Sequence, residues 1–268
     1  MKIGILTLRL FKNYGGILQN YALSRFLQKN GYDVETINIV WSYQLNGVKK
    51  YFVWLKRLVR NMLIGKWYSL DEEKILRNNE LVAAQRVNAF KEKNIPLSQK
   101  VYSLPGADFS DISNKYDTII VGSDQVWRPK YTGGIEKYFL SFADNRIKKI
   151  AYSASFGTDK NEYSFYEKWV CGKLIKRFDA ISVREESAIS LIREQLHWDV
   201  DVIQTLDPTM LLDITDYKSL VGQVVNNNKI FVYILDSSVQ KISFVEKLEK
   251  VLCMPGFTIT PKGMDNKS

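Results

Sequence analysis

The sequence predicts an α/β fold built on a parallel β-sheet, and three observations support this prediction. The run Thr118–Val121 has no polar alternation, as expected of a strand that is buried on both faces. Residues 2–40 follow the order strand, glycine-containing loop, helix, strand, which is that of a βαβ unit with a right-handed crossover. Polar residues follow several of the predicted strands directly, at the sheet edge where ligands of such folds bind.

The composition is that of an ordinary globular protein. The 268 residues are 46% apolar, which is enough for one large or two smaller domains. Cys171 and Cys253 lie far apart without a CxxC or histidine-rich context, so we expect reduced thiols, a cytoplasmic location, and neither a disulfide nor a metal site. The apolar run after Met1 is too short for a signal peptide or a membrane span.

The first βαβ unit contains a candidate anion site. We predict a strand at Lys2–Leu8, a loop at Arg9–Gly16 that ends in the letters NYGG, a helix at Ile17–Lys29 and a strand at Val34–Val40. Free N–H groups and the dipole at a helix start favour a phosphate or carboxylate, and a plain tight turn is the alternative interpretation. The spacing matches neither GxGxxG nor a P-loop.

A basic helical insertion is predicted at about residues 41–98. Between Trp41 and Lys100 there are 12 Lys and Arg against 5 Asp and Glu, in a chain whose net charge is +9. An apolar stripe in this stretch includes Phe52 and Val59, and it has two interpretations. In one, the stripe packs on its own domain; in the other, the stripe and the neighbouring lysines and arginines lie on an anionic membrane surface. No nucleic-acid-binding motif accompanies the charge, so nucleic acid is not an expected partner.

The stretch Tyr116–Trp127, YDTIIVGSDQVW, carries the central candidate site. Ser123, Asp124 and Gln125 follow Gly122 directly, at the carboxyl end of the buried strand, where ligands bind in open α/β sheets. Capping of the next helix by Ser123 or Asp124 is the alternative.

Later strands also end in polar residues. Strands are predicted at Ile150–Ser155, which precedes Phe156-Gly157, at Ala180–Val183, which precedes Arg184-Glu185, and at Val200–Thr205, with helices at Tyr163–Arg177 and Ser187–Gln195 between them. Arg184 either pairs with Glu185 on the surface or binds an anion bidentately. The single histidine, His197, lies in a loop and is expected to be structural or solvated.

A second domain is predicted after a polar break at Val221–Lys229, which gives domains at 1–220 and 221–268. Its elements are a strand at Ile230–Leu235, a helix at Val239–Leu252 and a strand at Phe257–Thr260. Three such elements bury too little apolar surface to fold alone, so we expect this second α/β domain to be incomplete.

Five motifs in this order together resemble the polysaccharide pyruvyl transferase family. They are GILTLRLFKNYGGILQNYAL, YDTIIVGSDQVW, IAYSASFG, ISVRE and LDPTMLLD. The resemblance covers about residues 2–260 and implies a glycosyltransferase-B-like architecture of two Rossmann-like domains with the site between them. It also implies transfer of pyruvate from phosphoenolpyruvate, as a cyclic ketal, onto a sugar of a cell-surface polysaccharide or its precursor. Phosphoenolpyruvate is then a co-substrate, and no cofactor is expected.

Asp124 and Arg184 are the catalytic residues that this resemblance suggests. Asp124 would orient or deprotonate an acceptor hydroxyl, and Trp127 would offer a flat apolar face to the sugar. Arg184 and the helix start after Asn13 would hold the carboxylate and phosphate of the donor. The other predicted substrate-binding residues flank these positions and are Tyr14, Gly15, Gly16, Gln19, Ser123, Gln125, Ser153, Ser155, Phe156, Gly157 and Glu185.

One departure from the family pattern concerns its second domain. Family members carry a Ser-Phe-His-Gly-like motif there, and this sequence has none after Leu235, so we expect a C-terminally truncated member with little or no pyruvyl transfer activity of its own. A nucleotide-sugar glycosyltransferase and a non-catalytic binding or assembly module are the alternatives. The expected partners are phosphoenolpyruvate and a sugar or lipid-linked saccharide acceptor, with membrane contact at the inner face through the basic insertion. The oligomeric state is not predicted.

Overall fold

The computed structural model describes residues 1–11, 13–41, 85, 87–103, 109, 112, 114–132, 134–222, 228–234 and 238–258. Most of the predicted basic insertion lies outside these residues, apart from a helical end at 87–94. The chain divides into two compact units, Met1–Asp213 and Ile214–Ser268. The boundary predicted from the sequence, between residues 220 and 221, falls inside the second of these units.

The first unit contains eight strands among its described residues. They are β1 (Lys2–Leu6), β2 (Asp33–Thr36), β3 (Ile39–Trp41), β4 (Val101–Ser103), β5 (Thr118–Gly122), β6 (Lys148–Ala154), β7 (Ala180–Val183) and β8 (Ile203–Gln204). Six of them form a parallel sheet in the order β2-β1-β5-β6-β7-β8, and β3 pairs with β4 in a separate parallel ladder. The predicted α/β class with a parallel sheet is therefore confirmed.

Helices connect these strands. They are α1 (Tyr14–Lys29), α2 (Pro129–Thr132), α3 (Phe165–Ile175) and α4 (Glu186–Ser190), which continues into a π-helical turn at Leu191–Gln195. Two 3-10 helices lie at Ile135–Phe139 and Pro208–Met210. The chain leaves β1 toward β2 on one side and later returns to β5 on the other side, so the switch point of the sheet lies between β1 and β5. Because every strand is parallel, the segments that follow β1, β5, β6, β7 and β8 all emerge at one edge, which we call the carboxyl edge.

The glycine loop predicted before the first helix is in fact part of that helix. Asn13 is the N-cap of α1, and its Oδ1 accepts a hydrogen bond from the Gly16 N–H at 3.1 Å. An asparagine cap satisfies one of the free donors of a helix start, so Tyr14, Gly15 and Gly16 form the first turn. The helix therefore begins three residues earlier than predicted.

Several predicted strands are shorter in the structure, and two of them show why. The predicted strand Val34–Val40 is divided because the Thr36 N–H donates to the Pro96 carbonyl (2.7 Å) and the Thr36 carbonyl accepts from the Ser98 N–H (2.9 Å). The chain turns there and pairs again only from Ile39. The predicted strand Val200–Thr205 pairs only at Ile203–Gln204, at the outer edge of the sheet.

An aromatic cluster forms the centre of the core. The Trp127 ring is fully buried and stacks on Phe139 at a centroid distance of 5.0 Å, with Phe156 and Phe178 at its sides. Its indole N–H donates to the Tyr138 carbonyl at 3.2 Å. The Trp127 backbone N–H donates to the carbonyl oxygen of Ser155 at 3.1 Å, so the cluster joins the loop after β5 to the loop after β6.

The second unit contains α5 (Ile214–Lys218), β9 (Ile230–Phe231), α6 (Val239–Leu252) and β10 (Gly256–Phe257) among its described residues. The bounds of α6 agree with the prediction, and β9 pairs with β10 in parallel. No residue of α6 is buried, and apolar side chains of β9 and α6 line an open groove that includes Phe231, Phe244 and Leu248. The incompleteness of this domain stays a prediction. None of the helices in the described part of the chain is long and apolar enough to cross a membrane.

The core position of Trp127 leads to a stability prediction. We expect Trp127→Ala to lower the free energy of unfolding by about 3–5 kcal/mol, because the substitution leaves a cavity between stacked rings. Trp169→Ala is the matched control: this ring is 54% exposed on α3, and its loss is expected to cost less than about 0.5 kcal/mol. Urea denaturation followed by circular dichroism measures both, and equal losses would contradict the core role of Trp127.

Candidate active site

Three of the predicted site residues meet at the carboxyl edge. Asn13 precedes α1, Asp124 follows β5 and Arg184 follows β7. The Asn13 Nδ2 donates to Asp124 Oδ2 at 3.1 Å, and the Arg184 Nη1 donates to the carbonyl oxygen of Ser123 at 3.3 Å. The structure therefore brings these three residues together in one network at the switch point of the sheet.

Asp124 lies against the first turn of α1. A Cβ atom at Gly16 would be only 2.6 Å from Asp124 Oδ2, so glycine is required there for the close approach. The other carboxylate oxygen, Oδ1, accepts from the backbone N–H of Gln125 at 2.8 Å. The positive end of the α1 dipole thus faces a carboxylate of the protein itself, where the sequence had suggested a ligand anion. Each oxygen keeps a free lone pair for a further donor, such as a hydroxyl.

Arg184 is surrounded by oxygen atoms of the chain. Its Nε donates to Glu185 Oε1 at 2.7 Å, its Nη2 donates to Ser155 Oγ at 3.2 Å, and its Nη1 lies 3.5 Å from Asp207 Oδ2. In this arrangement the guanidinium pairs with two carboxylates at the edge, as the ion-pair interpretation expected. Binding of an external anion by Arg184 stays a prediction.

Asp207 is a site residue that the sequence reasoning missed. Its Oδ1 accepts from the Thr209 N–H at 2.9 Å and so caps the 3-10 helix Pro208–Met210, while its Oδ2 accepts from Gln19 Nε2 and faces Arg184. The signal was an Asp-Pro pair shortly after a predicted strand, because such an aspartate caps the next element at the carboxyl edge. Gln19, predicted to bind substrate, is held by Asp207.

Ser155 connects the loops after β5, β6 and β7. Its Oγ donates to Glu185 Oε1 at 2.8 Å and accepts from the Gly157 N–H at 3.0 Å, in addition to the bond from Arg184. Its N–H donates to the Asp124 carbonyl at 3.3 Å. The hydroxyl of Ser155 therefore has its full set of partners and acts as a connector. Gly157 has a φ of +62°, and a Cβ there would be 2.3 Å from the Gln125 side chain, so another residue would strain the backbone and displace Gln125.

Several predicted ligand contacts lie beneath the edge and not on it. Trp127 and Phe156 are buried in the aromatic cluster, so the expectation that Trp127 offers a ring face to a sugar is wrong. Ser153 is fully buried with a left-handed φ of 51°, at a point where the β6–β7 register shifts between Ala151 and Ala154. By contrast, Tyr14 and Gly15 are exposed at the start of α1.

Carboxylates outnumber cationic groups in the network around Arg184. Asp124, Glu185 and Asp207 contribute carboxylates around the single guanidinium of Arg184. Within the described residues, no group of three or more His, Cys, Asp or Glu side chains is placed to hold a metal ion. His197, expected to be structural or solvated, is exposed in a left-handed turn with a φ of 54°.

An ion-pair network of Arg128, Lys130 and Glu162 holds the side chain of Gln125. Arg128 donates to both carboxylate oxygens of Glu162 at 3.0 Å and, through Nη1, to Gln125 Oε1 at 3.2 Å. Lys130 adds a third bond to Glu162 at 2.8 Å. The hydrogen bonds from Arg128, followed by those from Lys130, lower the pKa of Glu162 from its ordinary 4.5 to about 2.

This pKa shift predicts a pH-dependent contribution to stability. Because the folded-state pKa is lowered, the Glu162 pairing contributes fully above about pH 4.5 and is lost as the pH falls through about 2. We expect Glu162→Gln to cost about 1 kcal/mol at neutral pH, since Lys130 is exposed and solvent screens part of the attraction. The exposed Glu194→Gln is the control. Denaturation from neutral to acid pH measures the difference, and a cost of Glu162→Gln that stayed constant to the lowest pH would contradict the pairing.

The approach of Gly16 to Asp124 gives a second prediction. We expect Gly16→Ala to destabilise the first unit by about 1–3 kcal/mol, because the new methyl group overlaps a carboxylate oxygen. At Gly15 the nearest atom to a new Cβ is Asn13 Oδ1 at 3.3 Å, on an exposed side chain, so Gly15→Ala should be close to neutral.

A double-mutant cycle tests the cause of that effect. In an Asp124→Ala background the overlap is removed, so the cost of Gly16→Ala should fall by about 1 kcal/mol or more. If Gly16→Ala destabilises the protein equally in both backgrounds, the new methyl group does not overlap the Asp124 carboxylate.

The fold of this chain is similar to those of known protein structures. No curated protein matches the chain. One similar solved structure is an α-glucosyltransferase in complex with UDP and a 13-mer DNA containing an HMU base, with 13% identity and a TM-score of 0.50 over 94% of this chain and 54% of that one. Another is an α-glucosyltransferase (AGT) in complex with UDP, with 12% identity and a TM-score of 0.50 over 94% of this chain and 55% of that one. This chain spans about half the length of each. At these identities the likeness concerns the fold alone.

The family comparison covers most of the chain. The family model described as Polysaccharide pyruvyl transferase matches residues 13–254. This range begins at Asn13, the N-cap of α1, and includes Asp124, Arg184 and Asp207. The resemblance noted from the five sequence motifs is thereby confirmed, and the chain belongs to the polysaccharide pyruvyl transferase family.

Proposed function

We propose that the protein transfers pyruvate from phosphoenolpyruvate, as a ketal, onto a sugar of a cell-surface polysaccharide or its precursor. Since the chain belongs to the family, one observation on its site supports this proposal most directly. The Asp124 carboxylate is fixed at the switch point by Asn13 and by the Gln125 N–H, with lone pairs left for a sugar hydroxyl. The proposed location is the cytoplasm, where the thiols of Cys171 and Cys253 stay reduced.

In the proposed reaction Asp124 acts on the acceptor. Protonation of the donor's methylene carbon converts it to a methyl group and makes the neighbouring carbon, which carries the carboxylate and the phosphate, oxocarbenium-like. A sugar hydroxyl attacks this neighbouring carbon, phosphate departs from it, and the second hydroxyl then bonds to it and closes the ketal ring. The two hydroxyls release two protons, which balance those taken up by the methylene carbon and the departing phosphate. Asp124 accepts the proton of the attacking hydroxyl as general base, a role worth about 10²–10⁴-fold in rate.

The charge of the network around Arg184 favours the acceptor over the donor. Asp124, Glu185 and Asp207 outnumber this guanidinium, so this part of the edge suits neutral hydroxyl groups, which donate hydrogen bonds to carboxylates. The carboxylate and phosphate of phosphoenolpyruvate need positive charge from groups outside this network. This revises the role suggested from the sequence: in the present proposal Arg184 is a positioning residue that holds Glu185, Asp207 and the turn at Ser123.

A nucleotide-sugar glycosyltransferase is the second candidate. It is favoured by the fold likeness to α-glucosyltransferases whose structures contain UDP. A non-catalytic binding module is a third, in which the edge binds a saccharide without turning it over. Ligand-dependent melting separates the first two, because a ligand that binds the folded state alone raises the melting temperature.

Two measurements test the proposal. Phosphoenolpyruvate with an oligosaccharide acceptor should raise the melting temperature, and a UDP-sugar should not; the reverse result would favour the glycosyltransferase. On the full gene product, Asp124→Asn should lower turnover by at least about 100-fold with only a modest fall in melting temperature, because the amide keeps the shape, gives up one accepted hydrogen bond and loses the base.

Asp201→Asn, an exposed aspartate away from the carboxyl edge residues, is the matched control and should keep full turnover. Full turnover of Asp124→Asn would remove the base assignment. Saccharide binding without any transfer by the full gene product would favour the non-catalytic module.

A further inference from the structure

Helix α3 presents three aromatic rings and two lysines to solvent. Phe165, Tyr166 and Trp169 are 88%, 69% and 54% exposed, and Lys173 and Lys176 are exposed as well. These five residues, which we call the α3 outer face, lie within one arc of about 100° on a helix of about 3.6 residues per turn. The Lys173 ammonium lies 3.7 Å from the centroid of the Trp169 ring.

The other sides of α3 are occupied by the protein. Cys171 and Ile175 are fully buried in the core. On one flank the Trp198 indole N–H donates to the Lys168 carbonyl at 3.0 Å, and Lys168 Nζ donates to the Gln195 carbonyl at 2.9 Å. The outer face is therefore the side of the helix that remains for a partner.

The outer face carries positive charge without a compensating acid. The one acidic residue of α3 is Glu167, and its carboxylate is engaged in the capping box, where it accepts from the Ser164 N–H at 2.9 Å and from the Ser164 hydroxyl at 2.7 Å. Exposed aromatic patches of this kind mark binding surfaces, since lone exposed apolar residues are common but clusters are not.

We infer that the α3 outer face docks on the surface of an anionic phospholipid bilayer. Tryptophan and tyrosine favour the boundary between lipid headgroups and acyl chains, where an apolar ring and a polar tip are both satisfied. Lysine side chains extend toward lipid phosphates and add about fivefold in affinity each on an anionic surface. The positive charge of the face complements the negative charge of the lipids.

The position of α3 relates this surface to the candidate site. α3 follows β6 through the segment 155–164, so its first turn, with Phe165 and Tyr166, begins at the carboxyl edge that also holds Asp124. Docking would bring that edge to the membrane surface, where a lipid-linked saccharide lies. This last step rests on the proposed function, whereas the docking itself does not.

Vesicle flotation tests the inference without any enzyme assay. The chain should float with vesicles of three parts phosphatidylcholine to one part phosphatidylglycerol at about 0.1 M salt, and less at about 1 M, where the Debye length is short. It should not float with phosphatidylcholine alone. A triple variant, Phe165→Ser, Tyr166→Ser and Trp169→Ser, and a charge variant, Lys173→Glu with Lys176→Glu, should each lower the apparent affinity by at least about tenfold.

A charge-matched control isolates α3. Lys115→Glu with Lys148→Glu makes the same change in net charge at exposed lysines outside α3, and should reduce the affinity by less than about threefold. Melting temperatures verify that all variants are folded. Absence of flotation, or flotation that the α3 variants leave unchanged, would overturn the inference.

One further outcome would also overturn it. If size-exclusion chromatography without vesicles shows an oligomer that the triple variant dissociates, then a second copy of the chain covers the face.

Discussion

The approach of α1 to the loop after β5 is the contact on which the candidate site depends. Gly16 permits it, Asn13 bonds both the helix start and Asp124, and the helix dipole faces the carboxylate. The absence of a side chain at Gly16 therefore determines the position of the Asp124 carboxylate. The residues after β7 and β8 then surround this point, with Arg184 between Glu185 and Asp207.

The aromatic cluster gives that arrangement a rigid base. Trp127 lies only three positions after Asp124, and its ring is packed between Phe139 and Phe156. Its backbone N–H also bonds the loop after β6. Geometry at the edge is thus set by packing beneath it, which is the general requirement for a preorganised site. Trp127, which the sequence suggested as a flat surface for a sugar, instead supports the site by packing in the core.

The parts of the fold with strong local signals were predictable. The apolar run of β5, the bounds of β7 and α6, and the parallel pairing of the strands followed from periodicity and turn residues. The convergence of Asn13, Asp124 and Arg184 followed from the rule that parallel strands end at one edge. Burial of Trp127 and the pairing of Arg184 with Asp207 could not be predicted, because both depend on contacts between segments far apart in sequence. The division of the strand after α1 had the same origin, since residues 96–98 bind Thr36.

The irregularity in β6 has a consequence for how this strand can vary in length. Ser153 adopts a left-handed conformation and offsets the ladder to β7 by one step, so inward and outward positions exchange along the strand. Loss of one residue here would restore regular pleating and turn the hydroxyl of Ser155 away from Glu185 while exposing the ring of Phe156. Deletions that a surface loop would tolerate are therefore forbidden in this segment, even though neither its charge nor its apolar content would change.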